Sequence, residues 1–125
     1  MIVDTSALIA ILRREPESAS LVERMLKEAR LRISAGTLLE VRMVAERDGG
    51  GKELEALLAA AAIEVISVDA RQIDLAFDGF RRFGKGRHKA GLNFGDLFAY
   101  GLARALDEPI LFKGDDFNYT DVAVA

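Results

Sequence analysis

The stretch "MIVDTSALIAIL", residues 1–12, opens the chain with three apolar residues that lead directly into an aspartate. Asp4 is followed by a threonine and a serine, and all three residue types cap helix N-termini because their side-chain oxygens accept backbone N–H groups. The pattern therefore predicts a strand at Met1–Val3, a turn at Asp4 and a helix over Ser6–Arg14. It leaves open whether the Asp4 carboxylate is only a cap or also part of a site.

The same strand-then-helix pattern recurs along the chain, which predicts an α/β fold with a largely parallel sheet. Further strands are predicted at Leu31–Ser34, Ile63–Ser67 and Ile110–Lys113, and "DVAVA" at residues 121–125 is a candidate fifth strand. Helical patterns cover residues 16–30, 37–48, 52–62, 69–83 and 93–106. A chain of 125 residues fits one core, so we expect a single domain over residues 1–125 with a sheet of four to five strands.

The composition excludes several kinds of site. The chain has no cysteine and one histidine, His88, so it cannot form a disulfide, a thiolate or multi-histidine zinc site, or a cysteine nucleophile. The N-terminus lacks the basic region of a signal peptide, and no apolar run approaches the roughly 20 residues that cross a bilayer. We therefore expect a cytoplasmic protein without membrane contact.

Positive charge is concentrated in one segment. Residues 81–89, "RRFGKGRHK", contain five cations and no acid, whereas the rest of the chain carries 12 cations against 20 acids. Such segregation is typical of a nucleic-acid contact, although a solvated loop would have the same composition. The cations of this basic segment are Arg81, Arg82, Lys85, Arg87 and Lys89.

Acids follow the predicted strands at their carboxyl ends, where open α/β sheets form their sites. Each has a simpler interpretation as well, because Thr37 and Glu40 match a capping box, Asn93 and Asp96 have the same spacing, and two acids after Gly114 suit a turn. Together, however, carboxylates at one sheet edge would repel one another, and a divalent cation would relieve that repulsion. Oxygen ligands favour Mg²⁺ or Mn²⁺ over zinc or copper. The candidate acids are Asp4, Glu40, Asp96, Asp115 and Asp116.

Four stretches in order carry a resemblance to a known family. They are "IVDTSAL" at residues 2–8, "SAGTLLEV" at 34–41, "RHKAGLNFGDLFAYGLA" at 87–103 and "PILFKGDDFNYTDV" at 109–122. With these stretches the chain resembles the PIN-domain ribonucleases of the VapC toxin type, from bacterial VapBC toxin–antitoxin pairs. The resemblance covers essentially the full length and implies a three-layer α/β/α fold with a Mg²⁺ or Mn²⁺ site.

The resemblance also assigns roles to residues. It implies that Asp4, Glu40 and Asp96 are three catalytic, metal-binding acids, and that Asp115 or Asp116 is the fourth. We expect Asp115, because it lies nearer the end of the last strand. Ser6 and Asn93 are expected to orient carboxylates or water, and the basic segment to bind the RNA backbone.

The resemblance further implies an RNA substrate, a VapB-type antitoxin as partner, and a homodimer. Two other α/β classes fit less well, since a phospho-acceptor receiver domain and a dehalogenase-like phosphatase both need a second acid near Asp4. Position 6 is a serine instead. A non-catalytic PIN-like module that binds RNA or protein remains open, and a metal-dependent cleavage assay would separate it from an enzyme.

Overall fold

A computed structural model describes residues 1–125, and its centre is a four-stranded parallel sheet with the strand order β3-β2-β1-β4. The strands are β1 (Ile2–Val3), β2 (Arg32–Ser34), β3 (Glu64–Ile66) and β4 (Ile110–Leu111). Six helices connect them: α1 (Thr5–Leu12), α2 (Ser18–Leu26), α3 (Ala35–Arg47), α4 (Gly51–Ala60), α5 (Ala70–Phe83) and α6 (Phe94–Leu106). The predicted α/β class is confirmed.

Each face of the sheet has its own apolar core, because successive strand residues point to opposite faces. Val3 and Leu111 face a core built with α1 to α4, whereas Ile2 and Ile110 face a core dominated by Tyr100 and its neighbours on α6. Helix α5 packs on α6. The arrangement is therefore the expected three-layer α/β/α sandwich.

Several predicted elements are shorter than expected; for example, the strand predicted at Ile110–Lys113 is β4 and ends at Leu111. The helix predicted over residues 16–30 is α2, which buries only Leu21 and Met25 and ends at Leu26, and the residues that follow it up to Arg30 are exposed. The candidate fifth strand makes a single parallel bridge, Ile110 to Val124, instead of a full strand.

The spacing of Ile73, Phe77 and Phe80 predicts an apolar stripe on α5, but this stripe does not face the core. Ile73 and Phe77 are 48% and 60% exposed, and α5 instead approaches α6 through glycines. A Cβ on Gly79 would lie 2.3 Å from the Tyr100 ring, and a Cβ on Gly101 would lie 2.6 Å from the backbone of α5. This close backbone packing turns the face with the phenylalanines outward.

None of the helices combines the length and the apolar composition needed to span a lipid bilayer.

Candidate active site

Asp4 lies at the junction of β1 and α1 and serves as the helix cap that its sequence context predicts. Its Oδ2 accepts hydrogen bonds from the Ser6 backbone N–H at 3.1 Å and the Ser6 hydroxyl at 2.7 Å. The same carboxyl group is only 3% exposed, and its Oδ1 has no hydrogen-bond partner. Burial raises the pKa of Asp4 to about 6 against the lowering effect of the Ser6 hydrogen bonds, and the charge of Glu40 adds to the rise.

Glu40 does not form the capping box that its spacing from Thr37 suggests. Helix α3 begins earlier, at Ala35, because the Ser34 hydroxyl caps it by accepting the Gly36 N–H at 3.2 Å. Thr37 is therefore buried inside the helix. Glu40 is free to reach α1, where its Oε1 accepts the Thr5 hydroxyl at 2.6 Å.

A glycine at the start of α6 makes room for the Glu40 carboxylate. A Cβ on Gly95 would lie 1.8 Å from Glu40 Oε2, so no larger residue fits beside this carboxylate as it stands. Gly95 therefore lets Glu40 approach the helix that carries Asp96.

Asp96 forms the capping box that its spacing from Asn93 predicts and also faces the other acids. The Asp96 N–H donates to Asn93 Oδ1 at 2.9 Å, and the Asn93 N–H donates to Asp96 Oδ2 at 3.0 Å. Burial raises the pKa of Asp96 to about 7, and the charges of Asp4, Asp116 and Glu40 add to the rise, while the Asn93 hydrogen bond opposes it. Capping and membership of an acidic cluster are thus compatible.

The two acids after β4 differ in where the structure places them. Gly114 turns the chain at a φ of +102°, and a short 3-10 helix, Asp116–Tyr119, follows with Phe117 buried beneath it. This turn directs Asp115 away from the cluster, where it accepts the Asn118 amide at 3.1 Å. Asp116, not Asp115, lies beside the other acids.

Asp4, Glu40, Asp96 and Asp116 line one open cavity of about 410 Å³, which we call the acidic cavity. It also contains Lys113 and Arg13, which the sequence reasoning missed as site residues. Lys113 lies two residues after the end of β4, so the carboxyl-end rule could have found it. Its ammonium pairs with Glu15, and with Glu17 at 3.2 Å. Lys113 and Arg13 are each paired with other acids, so Asp4, Glu40, Asp96 and Asp116 have no cation paired with them. The cavity is lined by Asp4, Thr5, Ser6, Ile9, Ala10, Arg13, Glu15, Glu40, Val44, Asn93, Asp96, Lys113 and Asp116.

The chemistry of the cavity suits a hard divalent cation. Its donors are carboxylate oxygens, and the buried Asp4 Oδ1 has no partner. Burial raises the pKa values of Asp4 and Asp96, and the charges of the neighbouring acids add to the rise. No group of three acidic side chains is arranged to hold one metal ion as the structure stands. The oxygen donors are therefore of the type that Mg²⁺ or Mn²⁺ prefers, and binding of the ion requires the acidic side chains of the cavity to move locally.

The five cations of the basic segment make different kinds of contact. Arg82 is held by Asp121 at 3.0 Å and Asp78 at 3.3 Å, whereas the other four cations make no ion pair. Three of those four lie over aromatic rings instead. They are Arg81 over Phe77 at 5.9 Å, Arg87 over Phe80 at 4.9 Å and Lys89 over Tyr119 at 4.6 Å.

Comparison with known proteins agrees with this fold. The PIN domain family model matches residues 1–123. The VapC ribonuclease Mb0640 of Mycobacterium bovis is 45% identical over 127 residues, which cover 98% of this chain and 96% of that protein. Ribonuclease VapC of Mycolicibacterium smegmatis is 46% identical over 127 residues, covering 98% of each.

Solved structures show the same fold. The VapC20 toxin of Mycobacterium tuberculosis, described as cleaving the sarcin-ricin loop, has a TM-score of 0.78 at 17% identity, with 99% of this chain and 97% of that chain covered. A toxin-antitoxin complex from Klebsiella pneumoniae has a TM-score of 0.76 at 16% identity, with 99% and 95% covered. The chain therefore belongs to the PIN-domain family and, within it, to the VapC ribonucleases.

Proposed function

We propose that the acidic cavity is where this VapC ribonuclease hydrolyses RNA phosphodiester bonds, as the toxin of a VapBC-type pair. The carrying observation is that, besides the lysine-paired Glu15, four acids from four separate parts of the chain line one cavity without an ion pair, and one buried carboxylate oxygen has no partner. Helix caps alone would not need these acids to face each other. The acids are Asp4, Glu40, Asp96 and Asp116.

Asp4, Glu40 and Asp96 would hold the cation, with Asp116 at the rim, and the oxygen donors favour Mg²⁺ or Mn²⁺. When bound, such an ion stabilises negative charge on the phosphate and makes water a better nucleophile. It also offsets the mutual repulsion of the acids.

The neighbouring polar residues position these acids. The Ser6 hydroxyl fixes one oxygen of Asp4 and leaves the other free, and the Thr5 hydroxyl holds Glu40. Asp96 is the least buried of the acids with a raised pKa, so it is suited to orient a water molecule and accept its proton.

We also propose that a VapB-type antitoxin covers this edge, with the toxin acting as a homodimer in the cytoplasm. Support for the antitoxin site comes from an apolar groove of about 660 Å³ that shares Glu40 with the acidic cavity. Its Leu39, Met43 and Phe94 are 63%, 60% and 79% exposed. An antitoxin segment could place apolar residues in the groove and an arginine against the carboxylates.

Coexpression with the product of the neighbouring gene tests the antitoxin site. We expect the complex to copurify, and Leu39→Asp to weaken it without affecting folding, because Leu39 is exposed. Full nuclease activity in a saturated complex would contradict inhibition at this edge. Light scattering of the free toxin tests the homodimer, and a monomeric mass at micromolar concentration would contradict it.

Incubation of the purified protein with total cellular RNA tests the activity itself. Parallel reactions contain Mg²⁺, Mn²⁺ or a chelator, and the new RNA ends are mapped. We expect discrete cleavage only with a divalent cation. A folded protein that cleaves with neither cation would instead be a non-catalytic module that binds RNA or protein.

A further inference from the structure

A second cavity, of about 410 Å³, lies between α5 and the start of α6 and is called the aromatic cavity here. Phe77 and Phe80 form its α5 wall, and Phe94 and Leu97 form its α6 wall. Phe77 is 60% exposed and Phe94 is 79% exposed. Phenylalanines this exposed are unusual on a surface that has no ligand or partner. The cavity is lined by Phe77, Phe80, Lys85, Leu92, Asn93, Phe94 and Leu97.

Positively charged side chains without an ion pair lie beside the aromatic rings of this cavity. Phe77 and Phe80 lie nearly parallel, with an interplanar angle of 16° and ring centroids 6.4 Å apart. Arg81 and Arg87 lie over them, and Lys85 lines the cavity, while none of the three cations makes an ion pair. Aromatic rings beside free cations are what proteins use to stack the bases and bind the phosphates of single-stranded RNA.

The aromatic cavity and the acidic cavity share one lining residue. Asn93 lines both of them, and its side chain caps the helix that carries Asp96. A strand of RNA with a phosphate at the acids could therefore place a neighbouring base against the rings.

We propose that the aromatic cavity binds one unstacked base of a single-stranded RNA and so positions the adjacent phosphate at the acidic cavity. This inference rests on the proposed function, because it takes RNA as the substrate. Charge favours RNA over a protein partner, since an apolar protein surface would leave the three cations beside the rings without anionic partners. The arginines over the rings do not block the site, because exposed cation–π contacts are weak and guanidinium planes also stack on bases.

Binding of a short single-stranded RNA that contains 2-aminopurine tests the proposal. The full-length protein is used in chelator, so that binding is measured without cleavage, and stacking is detected as fluorescence quenching. We expect quenching with wild type, and Phe77→Leu to weaken binding about ten-fold while Phe77→Tyr retains it. Phe77→Leu preserves apolar bulk on an exposed site, so it separates ring stacking from folding.

Two controls make the result specific. Ile73→Ala removes an exposed apolar side chain one turn away from Phe77 on α5, outside the cavity, and should leave binding unchanged. A duplex of the same sequence should not discriminate Phe77→Leu from wild type, because its bases are already stacked.

Equal binding and quenching by wild type and Phe77→Leu would overturn the proposal. A lowered molecular mass of Phe77→Leu with unchanged RNA binding would also overturn it and would assign this face to contact between copies of the chain. Cleavage of total RNA reports separately on the proposed function. If wild type cleaves RNA but Phe77→Leu binds RNA as tightly as wild type does, only the proposed base site is refuted.

Discussion

At the scale of single residues, Asp4 combines two roles that sequence reasoning treats as alternatives. It caps α1 through Ser6 and also presents a buried, unpaired oxygen to the acidic cavity. Its folded pKa of about 6 lies above the unfolded value of roughly 4. Its contribution to stability is therefore fully present below pH 4 and is lost as the pH rises through 6, so the charged form destabilises the metal-free fold at neutral pH.

We therefore predict that Asp4→Asn melts higher than wild type at pH 7.5 in chelator. Asparagine caps helices about as well as aspartate, and recovery of about 1 kcal/mol would raise the melting temperature by about 2–5 °C. The gain should shrink as the pH is lowered from 7.5 to 5. Millimolar Mg²⁺ or Mn²⁺ should raise the melting temperature of wild type more than that of the mutant.

Asp115→Asn is the matched control for that experiment, because Asp115 is an exposed acid outside the cavity. It should melt like wild type with or without metal. An Asp4→Asn protein that melts lower in chelator, beside a wild type indifferent to both cations, would mean that Asp4 is a helix cap and nothing more.

Gly95 provides a second prediction at the residue scale. Gly95→Ala should favour α6 by up to about 1 kcal/mol through helix propensity, yet its Cβ would displace the Glu40 carboxylate from beside the cavity. We expect a folded protein with weaker Mn²⁺ binding by calorimetry and slower RNA cleavage. Gly50→Ala, where the nearest atom to the new Cβ is 3.8 Å away, is the control and should bind Mn²⁺ normally. Wild-type affinity in Gly95→Ala would remove Glu40 from the metal site.

The acids show what the sequence could and could not predict at this scale. Parallel strands bring their carboxyl ends to one edge, so the rule found Asp4 and Glu40 without a structure. The rule could not show that Asp116 lines the cavity and Asp115 does not, because their positions depend on the direction of the turn at Gly114 and on the burial of Phe117. These contacts are tertiary and leave no periodic signal.

At the scale of secondary-structure elements, α5 limits what periodicity can show. Its apolar stripe was found from spacing, but the stripe faces outward because Gly79 and Gly101 bring the two helix backbones together. Small residues that allow close packing carry no weight in an apolar pattern, so the sequence could not show which face is buried. The same outward turn places the phenylalanines beside the basic segment.

The basic segment gives a prediction at this scale. Replacing Arg81, Lys85 and Arg87 together with alanine should weaken RNA binding and reduce the slope of log affinity against log salt by about two, since each phosphate contact to a single strand contributes roughly 0.7. Arg82→Ala is the informative comparison, because Arg82 already pairs with Asp78 and Asp121. It should change the salt slope far less than the triple variant. A wild-type salt slope in the triple variant would mean that the basic segment is a solvated loop that does not contact RNA.

At the scale of the whole molecule, the fold brings opposing electrostatic features together. A metal-free acidic cavity repels RNA, whereas the neighbouring free cations of the basic segment attract it. The alternation of strands and helices predicted the parallel sheet, because such a chain has few other ways to bury its apolar faces, and the resemblance to PIN domains implied the three layers. The sequence could not predict that the two charged regions adjoin through Asn93, which depends on how α5 packs against α6.

The central claim is that the acidic cavity carries out metal-dependent RNA hydrolysis. The most direct measurement is the single-turnover cleavage rate of one defined RNA in Mn²⁺ by wild type, Asp96→Asn, Asp116→Asn and Asp115→Asn, with folding checked by circular dichroism. We expect Asp96→Asn to lose about 100-fold or more, Asp116→Asn to be impaired, and Asp115→Asn to match wild type. A folded Asp96→Asn protein that cleaves at the wild-type rate, or cleavage that persists in chelator, would contradict the account.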